Sequence, residues 1–421
     1  MLPLIKTRIP GPRSRMLARE LRRHECRNTT FVSADWPIFW ERARGCNVWD
    51  ADGNRYLDLT AAFGVASVGH NNARVIAAAR RQFGRLIHAM GDVHPNELKV
   101  RLAAELSRLT FERWAIQNPK SGIQNKGRVL FANSGSEAVE AALKTAMLAT
   151  GKPGVIAFVG AYHGLTCGAL DATAWNFFRA PFHPQLPGFT VHVAPTESAV
   201  RAAFEESERG IGAIIVEPIQ GRGGVIVPPD DFLPMLRRVC DKRRALLIAD
   251  EIFTGFCRTG RWFAVEHWGV VPDLVCVGKA MSNGFPMAAC VGRADVMDAW
   301  PESAGEALHT STHLGNPLGC AMALAAIAEM RRLGLAERAR RLQGRLPGRG
   351  LGLMKGVEVR DAATCQRVVR CLLQRGIIAL GGGERGNVLT QTPPLIISEG
   401  ELDFAASSIR QLIEASGNSS R

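Results

Sequence analysis

Residues 245–291 read ALLIADEIFTGFCRTGRWFAVEHWGVVPDLVCVGKAMSNGFPMAACV, and two apolar runs within them, Ala245–Ala249 and Leu274–Val277, lead straight to ionisable residues. Asp250 follows the first run, and Lys279 follows the second after Gly278. Runs of four or five nearly continuous apolar residues suit strands covered on both faces, because a half-exposed strand would alternate. Working outward, the same pattern recurs at Val129–Ala132, Val155–Val159 and Ile211–Val216, each followed by a polar or glycine-rich turn and a helical segment. Such alternation predicts crossover helices and a mostly parallel, buried sheet, so the fold class expected is α/β.

The flanks read differently. GCNVWDADGNRYLDLT, residues 45–60, predicts two short strands joined at Asp52-Gly53. Apolar residues recur at helical spacing over about 97–109 and 136–149, and the Pro/Gly/Lys/Gln-rich patch Asn118–Gly127 between them reads as a surface loop. After Pro317 a long helix, roughly Leu318–Leu333, precedes an Arg/Gly-rich segment and a mixed tail, which predicts a second, smaller domain.

Composition removes several classes of function. With 421 residues, 46% hydrophobic and 22% charged, the chain has the material for a substantial core. No apolar run reaches the length of about 18 residues that a membrane span needs, so no membrane partner is expected. The N-terminus lacks the apolar stretch of a secretory signal, and Glu20, Glu25 and the Pro10-Gly11-Pro12 turn argue against an Arg-rich transit peptide, so the expected location is cytoplasmic. Ten cysteines are scattered without a CxxC pair, and the histidines show no metal-ligand spacing; no metal is expected. The net charge of +13 invites a nucleic-acid partner, yet the arginines are interspersed with acidic residues and form no stripe interleaved with aromatics. No nucleic-acid partner is therefore expected.

In open α/β sheets the ligand crevice lies beyond the carboxyl ends of the strands. The residues there are Asn133-Ser134-Gly135-Ser136-Glu137, Tyr162-His163-Gly164, Glu217, Asp250-Glu251 and Lys279. Taken singly, each has an ordinary reading. Ser134 and Glu137 have the spacing of a helix capping box, though the same turn offers N–H groups and hydroxyls to a phosphate. Asp250 at the end of a buried strand needs a cationic partner, either an arginine or a protonated ring nitrogen. Lys279 is a surface lysine or, with its stem along an apolar wall, an amine pushed toward its nucleophilic free base. Their occurrence in order, at successive strand ends, favours the chemical readings.

At this point the chain resembles a known family. Ile215–Val291 is similar to the class III aminotransferases of pyridoxal phosphate fold type I, and the similarity extends through NVWDADGNRYLDLTAAFGVASVGH, ANSGSEAVEAALK, AYHG, HTSTHLGNPLGCAMALA and the N-terminal PGPRS. The resemblance implies a large pyridoxal-5′-phosphate-binding domain at residues 61–316, with a smaller α+β domain built from residues 1–60 and 317–421. It implies that Ser134, Gly135 and Ser136 hold the cofactor phosphate and that Tyr162 stacks on the ring, with His163 beside it. Asp250 would pair with the ring nitrogen, Ile252 would pack on the opposite face, and Lys279 would form the Schiff base. Thr312 would be a phosphate ligand supplied by a neighbouring subunit, so a homodimer with its active site at the interface is implied. Small-molecule partners follow: an amino donor, either an amine or an amino acid, and a keto acid or aldehyde acceptor.

Two departures bear on the substrate. Many members acting on ω-amino acids carry an arginine after the YHG motif and another in a C-terminal V-L-R-x-x-P-P-L motif. Here those positions are Leu165 and Thr390, neither of which offers a bidentate carboxylate clamp. Glu217 resembles the glutamate that pairs with the second arginine, and so is expected to lack its usual partner. Arg258 is an alternative carboxylate ligand, with a structural role as the competing reading. Phe63, Trp36 and Trp175 are aromatic candidates for the pocket wall. A racemase or epimerase, or an aminomutase, on the same fold is the alternative activity, since proton abstraction beside a Schiff base suffices if the proton returns to the same carbon.

Overall fold

The structure, a computed structural model, describes residues 1–117 and 126–417, so most of the loop expected at Asn118–Gly127 lies outside the described residues. In chain order the strands are β1 Trp40–Arg44, β2 Asn47–Asp50 and β3 Arg55–Asp58. Then come β4 Gly127–Ala132, β5 Gly154–Phe158, β6 Thr190–Val193, β7 Ile211–Val216, β8 Leu246–Asp250, β9 Leu274–Val277 and β10 Ala288–Arg293. The last four are β11 Lys355–Glu358, β12 Ile377–Ile378, β13 Leu380–Gly382 and β14 Val388–Gln391.

β4 to β10 form one seven-stranded sheet in the order β4-β10-β9-β8-β7-β5-β6. Neighbours run parallel from β9 through β8, β7 and β5 to β6, whereas β10 is antiparallel to both β4 and β9. Two reversals cancel, so β4 points the same way as β9, and the carboxyl ends of β4, β9, β8, β7 and β5 share one rim. The expected mostly parallel sheet is present.

The sheet is covered on both faces, which is why its strands read as continuous apolar runs. Ile156, Phe158, Ile214, Val216, Leu247, Ala249, Val275 and Val277 enter one core cluster. Their neighbours Val155, Ala157, Ala213, Ile215, Ile248, Leu274 and Cys276 enter the other. Each pleat therefore sends alternate side chains to opposite layers, and neither set meets water. Fully burying each such side chain contributes roughly 1.5–3 kcal/mol, enough in aggregate to fix the register on which the rim depends.

Helix Gly135–Thr150 crosses one face. Ser134 caps it by accepting from the Glu137 N–H at 3.3 Å, and Gly151 ends it at φ +67°, a left-handed cap that glycine adopts at no steric cost. The predicted long helix is present at Pro317–Arg332, where Asn316 caps it by accepting from the N–H groups of Leu318 and Gly319. It packs against helix Ala73–Phe83. The expected hairpin at 45–60 is formed by β2 and β3, with Gly53 at φ +81° in its turn.

The smaller sheets draw on both ends of the chain. β12 pairs in parallel with β3, giving the order β1-β2-β3-β12, and β11-β14-β13 forms a separate antiparallel sheet. No helix among the described residues is long and apolar enough to cross a membrane. Much of the positive charge is matched locally by ion pairs such as Arg201–Glu197, Arg340–Glu337 and Arg345–Asp403, in keeping with solvated surfaces.

Candidate active site

Five chain segments meet at the shared rim. Asp250, the last residue of β8, is 5% exposed; its Oδ2 lies 2.7 Å from His163 Nδ1, and its Oδ1 accepts from the Ile252 N–H at 3.1 Å. A carboxyl group at such a depth needs partners, and among the described residues its one side-chain partner is this histidine. His163 Nε2 is itself buried with no hydrogen-bond partner. The sequence reading left Asp250's partner open between an arginine and a ring nitrogen; an arginine does not fill the place.

The turn after β4 sits close by. Ser134 Oγ accepts from Glu137 N, and Ser136 Oγ accepts from Leu165 N at 3.0 Å, so each hydroxyl keeps its own proton for a further acceptor. A Cβ on Gly135 would stand 3.0 Å from Ile252 Cδ1 and 3.1 Å from its Cγ2, while one on Gly164 would fall 2.0 Å from Ser136 Oγ. The phosphate-type turn, the Tyr162-His163-Gly164 turn and Ile252 are thus packed to within a methyl group of one another. Ser134 caps the helix, but the capping box is only half formed: Glu137 Oε2 accepts from Asn133 N at 2.8 Å rather than from Ser134 N.

Lys279 follows β9 with a backbone φ of +42°, a left-handed conformation that a side-chain-bearing residue adopts at a cost of about 1 kcal/mol or more. Its Nζ lies 4.7 Å from the centre of the Phe253 ring. Burial lowers the pKa of the amine, opposed by the negative charges of Asp250 and Glu217. Strain and desolvation at one lysine are features of a working group.

Glu217, after β7, is buried. The sequence reading expects it to lack its partner, but its Oε1 accepts from the Tyr162 N–H and its Oε2 from the Gly221 N–H, both at 2.9 Å. No arginine pairs with it among the described residues, as expected; two amides occupy the carboxylate instead, because the turn after β7 folds back over it. Burial raises its pKa to about 7 against these bonds and the nearby His163. Glu251, fully buried, is likewise pushed up to about 7 by burial and accepts from Val265 N at 2.8 Å and from the Thr254 hydroxyl.

Arg258 is fully buried, with Nη1 donating to the carbonyls of Leu353 at 3.1 Å and Pro393 at 2.6 Å and Nη2 to Ser67 Oγ at 3.1 Å. It ties three chain segments together, so the structural reading is the right one. Trp36 packs with Ile5, Ile38 and Val48 away from the rim, and Phe63 is 64% exposed. Trp175, the third aromatic candidate, lies at the site: its Nε1 donates to Gly160 O at 3.0 Å, and its ring flanks the side chain of Arg222. Thr312 is exposed, and its neighbour Ser311 accepts from Asn133 Nδ2 at 2.9 Å, which puts that turn beside the start of the phosphate-type loop.

Sequence reasoning missed three residues here: Phe253, against which the Lys279 amine rests, and Phe178 and Arg222, which pack beside Tyr162. Arg222 stands within the Ile215–Val291 stretch that carries the resemblance, but one arginine among many carries no signal without neighbours in space.

The sequence of residues 31–413 matches the family model described as class-III aminotransferase. The chain belongs to the class-III aminotransferases. It is 39% identical over 395 residues to an acetylornithine aminotransferase of Methanopyrus kandleri, covering 91% of this chain and 96% of that relative. It is equally 39% identical, over 401 residues, to a putrescine aminotransferase of Pectobacterium atrosepticum, covering 89% and 82% of the two chains. Among solved structures, an ornithine aminotransferase from Toxoplasma gondii with PLP in partial occupancy at its active site superposes with a TM-score of 0.81 at 32% identity, covering 95% of this chain and 94% of that one. The class-III aminotransferase membership agrees with the resemblance read from the motifs, and nothing in these comparisons favours a racemase.

Proposed function

We propose that this class-III aminotransferase uses pyridoxal 5′-phosphate, held at the rim of β4, β5, β7, β8 and β9, to move an amino group from a small-molecule donor to a carbonyl acceptor. The observation that carries the reading is the buried Asp250 carboxylate, paired only with His163, on the same rim as a strained and desolvated Lys279. When bound, the cofactor supplies an aldehyde that condenses with amines and a ring that withdraws electrons from the adjoining carbon.

The protein's own groups have distinct tasks. Asp250, fixed by His163 and the Ile252 N–H, would hold a facing ring nitrogen in its protonated form. The Ser134–Ser136 turn and the helix start behind it hold a phosphate by hydroxyls and N–H groups. Tyr162, its backbone locked by Glu217, would cover one face of the ring, and Ile252, packed against Gly135, would cover the other. Lys279 Nζ would take the proton from the donor's amine-bearing carbon and deliver it onward, a role favoured by the lowering of its pKa through burial.

The active unit in this reading is a homodimer. Phe83, Leu86, Ile87, Met90 and Val93 are each more than 40% exposed, more apolar surface than a free chain ordinarily shows in one segment. Asn316 Nδ2 donates to Ile87 O at 3.0 Å, and a Cβ on Gly91 would fall 2.1 Å from Leu314 O, so this patch abuts the turn that carries Thr312. A partner covering the patch would meet Thr312, which supports its role as a phosphate ligand across the interface. Residues 61–316 as the cofactor-binding body, with residues 1–60 and 317–421 as the smaller domain, are part of the same reading, supported by the β3–β12 pairing. A cytoplasmic setting accords with ten cysteines that are all free thiols.

The test is spectral. Purified holoenzyme given an amino donor and no acceptor should lose its yellow aldimine absorbance, gain the shorter-wavelength band of the aminated cofactor, and release a carbonyl product. Inversion of a single-enantiomer donor with no such change would instead support the racemase.

A further inference from the structure

The geometry points to Arg222 as the residue that binds a substrate carboxylate, in place of the guanidinium groups absent at Leu165 and Thr390. This inference rests on the aminotransferase reading and adds its substrate class: donors or acceptors bearing a carboxylate distant from the reacting nitrogen or carbonyl.

Arg222 is exposed, and its guanidinium carbon lies 4.8 Å from the ring centre of Phe178, 5.1 Å from that of Tyr162 and 5.5 Å from that of Trp175. Among the described residues no carboxylate pairs with it, whereas many surface arginines of the chain do have acidic partners. Contact with aromatic faces orients a guanidinium while leaving its N–H edge free for a planar anion. One of those faces belongs to Tyr162, the residue proposed to cover the cofactor ring.

The loop that carries Arg222 is fixed on both sides. Gly221 N donates to Glu217, and Gln220 and Ile226 exchange backbone hydrogen bonds at 3.0 and 3.1 Å. Arg349 Nη2 donates to Gly224 O at 2.8 Å, and Gly383 N donates to Arg222 O at 2.9 Å. A binding group on so constrained a loop loses little freedom when the ligand arrives.

Its place between the reactive amine and the C-terminal hairpin is also fixed. A Cβ on Gly221 would lie 2.2 Å from Phe253 Cδ1, and Lys279 Nζ lies 4.7 Å from the centre of the same ring, so the loop and the amine share one phenyl group as neighbour. On the other side, a Cβ on Gly382 would lie 2.9 Å from Thr390 Cγ2 and 3.6 Å from Arg222 O. The arginine therefore enters from the loop beside Thr390, supplying from one strand end what the neighbouring hairpin lacks. Arg258 is poorly placed to serve, since it is fully buried and both of its terminal nitrogens are tied to Leu353, Pro393 and Ser67.

The experiment compares the first half-reaction of the holoenzyme with 5-aminopentanoate and with pentylamine, without acceptor, in the wild type, Arg222→Met and Arg222→Lys. The ratio of specificity constants, carboxylate donor over plain amine, should fall about 10- to 150-fold in Arg222→Met, the value of charge-assisted hydrogen bonds to one carboxylate. Arg222→Lys should recover part of it, because a lysine keeps the charge but not the fork. An unchanged ratio, or equal losses for both donors, would overturn the assignment while leaving the aminotransferase reading intact. If the wild type converted neither donor nor any other amine, the functional reading would fail, and this inference with it.

Discussion

Asp250 and Glu251 are adjacent carboxyl groups at the end of one buried strand, yet their surroundings give them different work. Asp250 faces the crevice and pairs with His163, whereas Glu251 points into the protein and accepts only from neutral donors, Val265 N and the Thr254 hydroxyl. The pKa of Glu251 is raised by burial from its ordinary 4.5 to about 7. Between those values the folded state holds a proton that the unfolded chain releases, so this residue's contribution to stability falls as pH rises and is fully lost above about 7. Glu251→Gln removes that dependence. Thermal melts should show the variant gaining on the wild type by on the order of 1–3 kcal/mol between pH 5 and pH 8; an equal difference at both pH values would contradict the burial argument. Glu217 titrates in both proteins and cancels from the comparison. At this scale the sequence was informative where the chemistry is local. Lys279, Asp250 and Ser134–Ser136 could be picked out because each begins within two residues of the end of an apolar run. The partner of Glu217 and the setting of Arg222 were not legible, because both depend on how the turn after β7 folds back toward Tyr162.

Among the elements, the parallel strands could be read from their runs because burial on both faces requires nearly every residue to be apolar. Direction could not, since a strand covered on both sides shows no alternation that would distinguish β10, antiparallel to β4 and β9, from its parallel neighbours. β6 escaped notice for the opposite reason: it lies at the sheet edge, and Thr190 and His192 break its apolar pattern. What the elements contribute to function is close approach. The start of helix Gly135–Thr150 reaches Ile252 only because residue 135 has no Cβ; an added methyl would stand 3.0 Å from Ile252 Cδ1. Gly135→Ala should therefore push the phosphate-type turn and Ile252 apart and weaken cofactor affinity roughly 10-fold, the consequence of overpacking by a single methyl group. Absorbance titration of the apoprotein with pyridoxal 5′-phosphate measures this, and identical affinities for variant and wild type would show that the turn does not hold the phosphate.

For the whole molecule, the two ends of the chain meet at the β3–β12 pairing while the middle builds the seven-stranded sheet, so the rim of that sheet is bordered by elements far apart in sequence. That arrangement explains why motif order along the chain predicts a site at all: each crossover returns the next strand's carboxyl end to the same edge. It also explains what a linear reading cannot supply, namely the loop beside Thr390 and the apolar segment from Phe83 to Val93 that adjoins the Thr312 turn. The net charge of +13 proves a poor guide to function, since many of the arginines are paired at the surface and one that is not, Arg222, faces the site. The central claim is that Lys279 carries the cofactor. Borohydride reduction of the yellow holoenzyme, followed by peptide mapping, should place a single phosphopyridoxyl adduct on Lys279, and an adduct on another lysine or none at all would contradict the account.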